Sequence, residues 1–260
     1  ASDYSRRMTD RSVGAEPQKA FWEKMAERYP RPFDEEQLAH TRGIIAAAEG
    51  MGVTLDGATL LDVGCGTGVY ALPLAARAAR VVGLDISEEM TRRFEAECVE
   101  HGITNATAIC SPWGDAAIGE HGLEHAFDVV WVAMLPTIRS RADISRLIRC
   151  SRRSCVYVGW NASRTNPFLE AIFTAHGQPF GPPPGAREVR AALAELGLRS
   201  EIHSSVRSWE WDESPAEAAA YAHQFLLAHS VADPRHAVIQ DIVAGFVKDG
   251  KVRQHAEVSE

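Results

Sequence analysis

LLDVGCGTGVYALPLAARAARVVGLDISEEM, residues Leu60 to Met90, is the stretch around which the rest of the chain is read. It opens inside an apolar run, Ala58 to Val63, too short for a helix of ordinary length and bounded by glycine, which predicts a buried strand. Gly64, Gly66 and Gly68 follow at alternate positions. A short alanine- and leucine-rich helix comes next, then a second apolar run, Val81 to Leu84, ending in Asp85. Strand, glycine turn, helix, strand and carboxylate is the layout of a nucleotide-cofactor site in an open α/β sheet. Glycines let backbone approach the ligand, and a carboxylate about 20 residues on accepts hydrogen bonds from ribose hydroxyls. The dinucleotide pattern G-x-G-x-x-G places its third glycine five residues after the first. Here Gly68 is four after Gly64 and Val69 takes the fifth place, which disfavours a nicotinamide reductase.

The string LDVGCGTG, with Asp62 near the end of the strand, resembles the first motif of class I S-adenosylmethionine-dependent methyltransferases of the small-molecule type; VVGLDIS with Met90 resembles their second. The resemblance covers roughly Ala58 to Gly159. It implies an α/β fold: a seven-stranded, mostly parallel, doubly wound Rossmann-like sheet with a helical amino-terminal cap and a helical insertion before the last strand. It implies S-adenosyl-L-methionine as cofactor and S-adenosyl-L-homocysteine as product. Asp62, Gly64, Cys65, Gly66, Thr67 and Gly68 would hold the methionine end, with Tyr29 nearest to it, and Asp85 the ribose. Ile86 and Met90 would pack on the adenine. Family members commonly place an acidic residue just after the third strand, Ala106 to Ile109 here, and this chain has Ser111 instead. Ser111, Pro112 and Trp113 are expected to flank the adenine, with Asp115 as the alternative.

Composition sets outer bounds. The 260 residues are 45% hydrophobic and 24% charged, ordinary for a globular protein large enough for one α/β domain with extra segments. The formal net charge of −8 argues against nucleic acid as the main partner. No apolar run approaches the roughly 20 residues that span a bilayer, and the polar, mixed-charge amino end, expected to be mobile without ligand, lacks the core of a secretory signal. Five scattered cysteines, Cys65, Cys98, Cys110, Cys150 and Cys155, read as reduced thiols. A cytoplasmic protein is expected, off the membrane, its oligomeric state open.

Outward from the centre, residues 1–52 are expected to form cap helices, 53–160 the cofactor-binding core, and 161–260 a substrate-side segment with a helical lid over about 214–249. Gln18 to Tyr29 predicts a helix with Phe21, Met25 and Tyr29 on one face; Asp34 and Gln37 form a capping-box pattern for a helix running to about Glu49, with Leu38, Thr41, Ile45 and Ala48 inward. Phe127 to Met134 reads as the fourth strand, with Asp128 structural at its far end. Ligands in open α/β sheets sit beyond the carboxyl ends of the strands, so Ala133, Met134 and Leu135 mark where acceptor and sulfonium meet. The arginines between Ile138 and Arg153 read as a solvated helix face, and Ser154 to Trp160 as the fifth strand. Later come a strand, Arg199 to Trp211, two helices, and a last antiparallel strand, Gln254 to Val258. Tyr221, His223, Phe225 and His229 are candidates to line the lid.

Methyl transfer from a sulfonium is an in-line displacement in which the cofactor carries the reactive group and the protein supplies alignment. No motif identifies a base; His176, His223 and Tyr157 are the candidates. No metal-ligand set is expected. A small-molecule acceptor is the leading expectation. The alternatives are an RNA or protein methyltransferase and a non-catalytic methyltransferase-fold subunit.

Overall fold

The computed structural model describes residues 15–229 and 231–259. The polar stretch before residue 15 and the side chain of Phe21 lie outside the described residues. The chain divides into two compact units, one of residues 13–159 and 188–203, the other containing 160–187 and 204–260.

In the first unit, five parallel strands run in the order β3-β2-β1-β4-β5: β1 (Thr59–Val63), β2 (Arg80–Asp85), β3 (Ala106–Cys110), β4 (Phe127–Ala133) and β5 (Ser151–Val158). The chain runs β1, β2, β3 outward in one direction, then returns to lay β4 on the other side of β1. That reversal between β1 and β4 is the crevice where open α/β sheets bind ligands. The pairing puts Asp62 level with Gly83 and Trp131. Side chains alternate between faces, so Leu60 and Trp131 enter one apolar cluster while Leu61, Val63, Val130 and Val132 enter another. Both faces of the three central strands, β2, β1 and β4, are covered, which is why these read as nearly continuous apolar runs, whereas β3 and β5 at the edges are partly exposed.

Helix α1 (Ala15–Met25) runs into a short 3-10 turn, and α2 (Glu35–Gly50) precedes β1. Asp34 occupies the N-cap of α2, but its side chain makes no capping hydrogen bond, so the expected capping box does not form. Gln37 turns inward instead and donates to Thr41, both buried, while Leu38 is only partly so. Helices α3 (Ala71–Ala75), α4 (Glu88–Glu100), α5 (Asp115–Glu120) and α6 (Arg141–Cys150) connect the strands, and α8 (Ala186–Glu195) follows later in the chain. Ser87 caps α4 through the Met90 N–H, and Ser140 with Asp143 forms a full capping box on α6. Helix α6 ends at Cys150, so Arg152 and Arg153, read from sequence as part of a helix face, stand on β5 instead.

The second unit has its own sheet: β6 (Arg164–Thr165), β9 (Lys251–Ser259) and β7 (Val206–Glu213), with β8 (Val247–Lys248) pairing back on β9, all antiparallel. Its core is built by α7 (Pro167–Ala175), α9 (Pro215–Ala228) and α10 (His236–Phe246), with Phe168, Phe173, Leu226 and Ile239 buried. This corrects the seven-stranded expectation. The main sheet has five strands, and β7 and β9 satisfy each other's backbones through eight paired positions. The reason is legible in their side chains. Strand β9 alternates exposed and buried residues over Lys251–Ala256, the pattern of an antiparallel sheet with one solvated face. A place inside a parallel layer requires both faces apolar. Residues 199–205, expected to begin β7, hold no regular structure. Among the described residues no helix is long and apolar enough to cross a membrane.

Candidate active site

The glycine turn leaves β1 with three left-handed residues, Gly64 at φ +76°, Gly66 at +53° and Gly68 at +93°, a region costly for any residue with a Cβ. The Gly64 and Cys65 N–H groups both donate to the Leu84 carbonyl, binding the turn to the end of β2. Space is as restrictive as conformation. A Cβ on Gly68 would lie 2.6 Å from the Leu72 side chain and 2.9 Å from Phe94. A Cβ on Gly66 would touch the Tyr29 ring at 3.0 Å, and one on Gly83, across from Asp62, would meet the Cys65 sulfur at 2.6 Å.

Two carboxylates face this turn. Asp62 is 2% exposed, and its Oδ1 has no hydrogen-bond partner. Burial, reinforced by the charge of Asp85, pushes its pKa up to about 7, against a backbone hydrogen bond at Ala71 that favours the charged form. Asp85 is held at both oxygens: Oδ2 accepts from the Gly66 N–H at 3.0 Å and Oδ1 from the Ser87 N–H at 2.9 Å. Burial raises its pKa too, with those backbone donors opposing. Tyr29 packs on Gly66 and edge-on against Trp22, and burial together with Asp85 and Asp62 lifts its phenol to about 12. The Thr67 hydroxyl donates to the Pro30 carbonyl at 2.7 Å, fixing the chain after Tyr29 to the turn. Cys65 is buried, and its thiol is driven upward by desolvation and both aspartates.

A residue not singled out from the sequence joins this group. Glu23 of α1 accepts the N–H groups of Glu88 and Glu89, one carboxylate oxygen to each, at the amino end of α4. That end carries the positive pole of the helix. No local pattern in FWEKMAERY marks Glu23, because its partners are backbone groups of a distant helix.

On the adenine side the expected residues are partly assembled. Met90 is 1% exposed and Ile86 half-buried. The Ser111 N–H donates to the Asp85 carbonyl, tying the end of β3 to that of β2. Pro112 is exposed, and Trp113 turns its indole into the second apolar cluster with Nε1 unpartnered. Asp115 is committed elsewhere: Arg146 and Arg149 each hold it at 2.9 Å and keep its carboxyl below the usual range. At the carboxyl end of β4, Met134 adopts φ +51° while its N–H donates to the Val158 carbonyl. A non-glycine residue in that region is held there by its surroundings, a feature that clusters at functional sites. Leu135 packs on Gly64, and Ala133 is half-buried.

The three candidate bases stand apart in character. The Tyr157 hydroxyl is buried without a partner; desolvation and then Glu188 keep it firmly protonated. His176 ends α7, with Nδ1 2.7 Å from the Ile172 carbonyl and Nε2 accepting the Arg235 N–H, so both ring nitrogens are engaged. His223 sits half-buried on α9. Nearby in the same helix, burial lowers His229 to about 4 and raises Tyr221.

Residues 60–157 match the family model of a methyltransferase domain. A nocamycin O-methyltransferase of Saccharothrix syringae is 28% identical, over 68% of this chain and 81% of its own. A 23S rRNA (uracil(1939)-C(5))-methyltransferase of Hahella chejuensis is 35% identical, but over 40% of this chain and only 24% of its own. Geranyl diphosphate C-methyltransferase from Streptomyces coelicolor, a solved structure, is similar at 14% identity and a TM-score of 0.45, covering 100% of this chain and 98% of its own. What this chain shares with these proteins is the methyltransferase domain over residues 60–157.

The orphaned carboxylate oxygen on Asp62 fits the ammonium group of S-adenosylmethionine, the cofactor expected here, while the glycines of the turn make room for the chain's own Leu135, Tyr29 and Leu72 side chains.

Proposed function

We propose that this chain binds S-adenosylmethionine between Asp62 and Asp85 and directs its methyl group to a small-molecule acceptor by in-line displacement. The observation that carries the reading is the Asp62 carboxylate, 2% exposed, with Oδ1 unpartnered beside the glycine turn. A buried polar atom left unsatisfied costs about 1–3 kcal/mol, more when charged, and the cofactor's ammonium group would relieve that cost. Asp85 would accept from the ribose hydroxyls with lone pairs left over from its two backbone bonds. When bound, the cofactor supplies an electrophilic methyl group. The protein's part is to orient it, exclude water and hold the acceptor in line. No base is assigned: Tyr157 stays protonated and the two His176 nitrogens are occupied. An acceptor that is a neutral amine or a thiolate needs none.

A small-molecule acceptor is favoured by the nocamycin O-methyltransferase, the relative matched over most of its length, and by the net charge of −8. The rRNA methyltransferase shares only a quarter of its length with this chain. Segments beyond residue 160 lie outside the matched domain and would set acceptor choice. Calorimetric titration with S-adenosylmethionine and S-adenosylhomocysteine tests the reading. Saturable binding is expected, weakened about tenfold or more in Asp85→Ala, since hydrogen bonds to a charged group contribute about 1.5–3 kcal/mol. Affinity unchanged by that substitution would remove the proposal. An RNA gel shift at low salt that persists with competitor would favour the RNA reading instead.

A further inference from the structure

The last turn of α4 carries Glu97 and Glu100, and its C-cap is His101, spaced so that all three lie along one side. One ligand atom from each lies within 4.8 Å of the others. The Glu97 side chain is 9% exposed, yet its Oε2 accepts no hydrogen bond. That oxygen faces the His101 Nε2 at 3.5 Å, too far for a good hydrogen bond. It is close to the edge, about 3.4 Å, separating an oxygen and a nitrogen ligand on a tetrahedral zinc ion. Phe33 packs against the imidazole with ring centres 4.0 Å apart, and so fixes its direction. The two glutamates also wall an open cleft of about 320 Å³ with Arg92, Arg93 and Ala96, giving an ion a route in.

From this geometry we propose that Glu97, Glu100 and His101 form a binding site for a divalent transition-metal ion, with Zn²⁺ the best match. Two carboxylates and an imidazole are a zinc-type donor set, and the nitrogen ligand selects against Mg²⁺ and Ca²⁺. Water would complete the coordination. At present Arg31 spans the two carboxylates, its Nε 2.6 Å from Glu97 and a terminal nitrogen 2.6 Å from Glu100, with its own side chain 51% exposed. The Arg31–Glu100 pair is exposed on both sides and contributes only about 0–1 kcal/mol, while the Arg31–Glu97 bond is half-buried and is the contact that a doubly charged ion, gaining all three ligands, has to displace. Arg31 is then a competitor for the site, and its removal improves metal binding. The ion's coordination is independent of the cofactor reading.

The test uses the whole chain, stripped with a chelator and dialysed against Zn²⁺ and, separately, Co²⁺, with and without S-adenosylmethionine. One ion per chain is expected. His101→Asn and Glu97→Gln each lose affinity about tenfold or more, because each removes a ligand. Arg31→Gln gains affinity several-fold, and Glu95→Gln, an exposed carboxylate on the same helix, changes nothing. Circular dichroism on each variant separates loss of the site from loss of the fold; Arg31→Gln keeps all three ligands and carries the test if a ligand variant unfolds. The Co²⁺ spectrum is expected to lack a thiolate charge-transfer band. Absence of saturable binding, binding untouched by His101→Asn, binding unimproved by Arg31→Gln, or a thiolate band tracing the ion to a cysteine would each overturn the proposal.

Discussion

The two ends of the parallel sheet treat a carboxylate in opposite ways. At the amino end, Asp128 of β4 accepts the Thr59 N–H and hydroxyl at 2.9 Å each, with Arg152 and Arg153 within 3.3 and 3.6 Å. Its pKa is drawn down to about 2, first by the Thr59 backbone donor. At the carboxyl end, Asp62 of β1 keeps an oxygen without any partner and is pushed up to about 7. The same residue type in the same sheet is saturated where it holds strands together and left short of partners where the topology opens a crevice. The deficit marks the ligand side more sharply than burial does, since buried carboxylates also serve structure.

That contrast can be broken at either end. The largest effect is expected from Gly68→Ala. It forces a side chain into the left-handed region at φ +93° and to 2.6 Å from Leu72; a loss of about 2–5 kcal/mol in urea unfolding should follow. Asp128→Ala should cost about 1.5–3 kcal/mol of stability by stranding the Thr59 donors, while cofactor affinity by calorimetry stays at the wild-type value. If affinity falls with stability, the two ends are not independent.

A pH titration sharpens the comparison. Asp62 has a folded pKa above the unfolded carboxylate value, so the folded chain holds the extra proton. Its contribution to stability therefore falls as pH rises from about 4 to about 7. Asp128 runs the other way, its contribution present above about 4 and lost as pH drops towards 2. Cofactor affinity should climb through the Asp62 range by at most about tenfold per pH unit, flattening in Asp62→Asn; a profile unchanged in that variant would assign the titration to another group. The smallest effect belongs to Glu23→Gln, which trades a carboxylate for an amide at the head of α4 and should cost about 0.3–1 kcal/mol. Thermal denaturation at low salt would register it.

Much of the cofactor end was legible because its signals are local. Strand β1, the three glycines, β2 with its terminal Asp85, and the Ser87 cap follow from adjacent residues, and each lies where the spacing placed it. The strand count was not legible. Strands β7 and β9 are separated by two helices, and their alternating pattern fits either an edge of the main sheet or a sheet of their own; pairing partner is a long-range property. The boundary between α6 and β5 slipped by a few residues because Arg152 and Arg153 suit a solvated helix as well as a strand, and only Asp128 across the sheet decides it. Asp115 illustrates the limit at the site. Its position after β3 suggested a ligand contact, whereas two arginines arriving from α6 hold it. Glu23 was missed for the converse reason, its partners being backbone amides that carry no sequence mark.

The contact between Cys65 and Gly83 carries a consequence for how this sequence can drift. A Cβ at position 83 and a sulfur at position 65 claim the same space, 2.6 Å apart. Neither position can grow unless the other shrinks, so the two should exchange volume as a pair among relatives. Reducing 65 to glycine removes two of the three close contacts and leaves Phe94 at 3.1 Å, so the double change Cys65→Gly with Gly83→Ala should be better borne than Gly83→Ala alone.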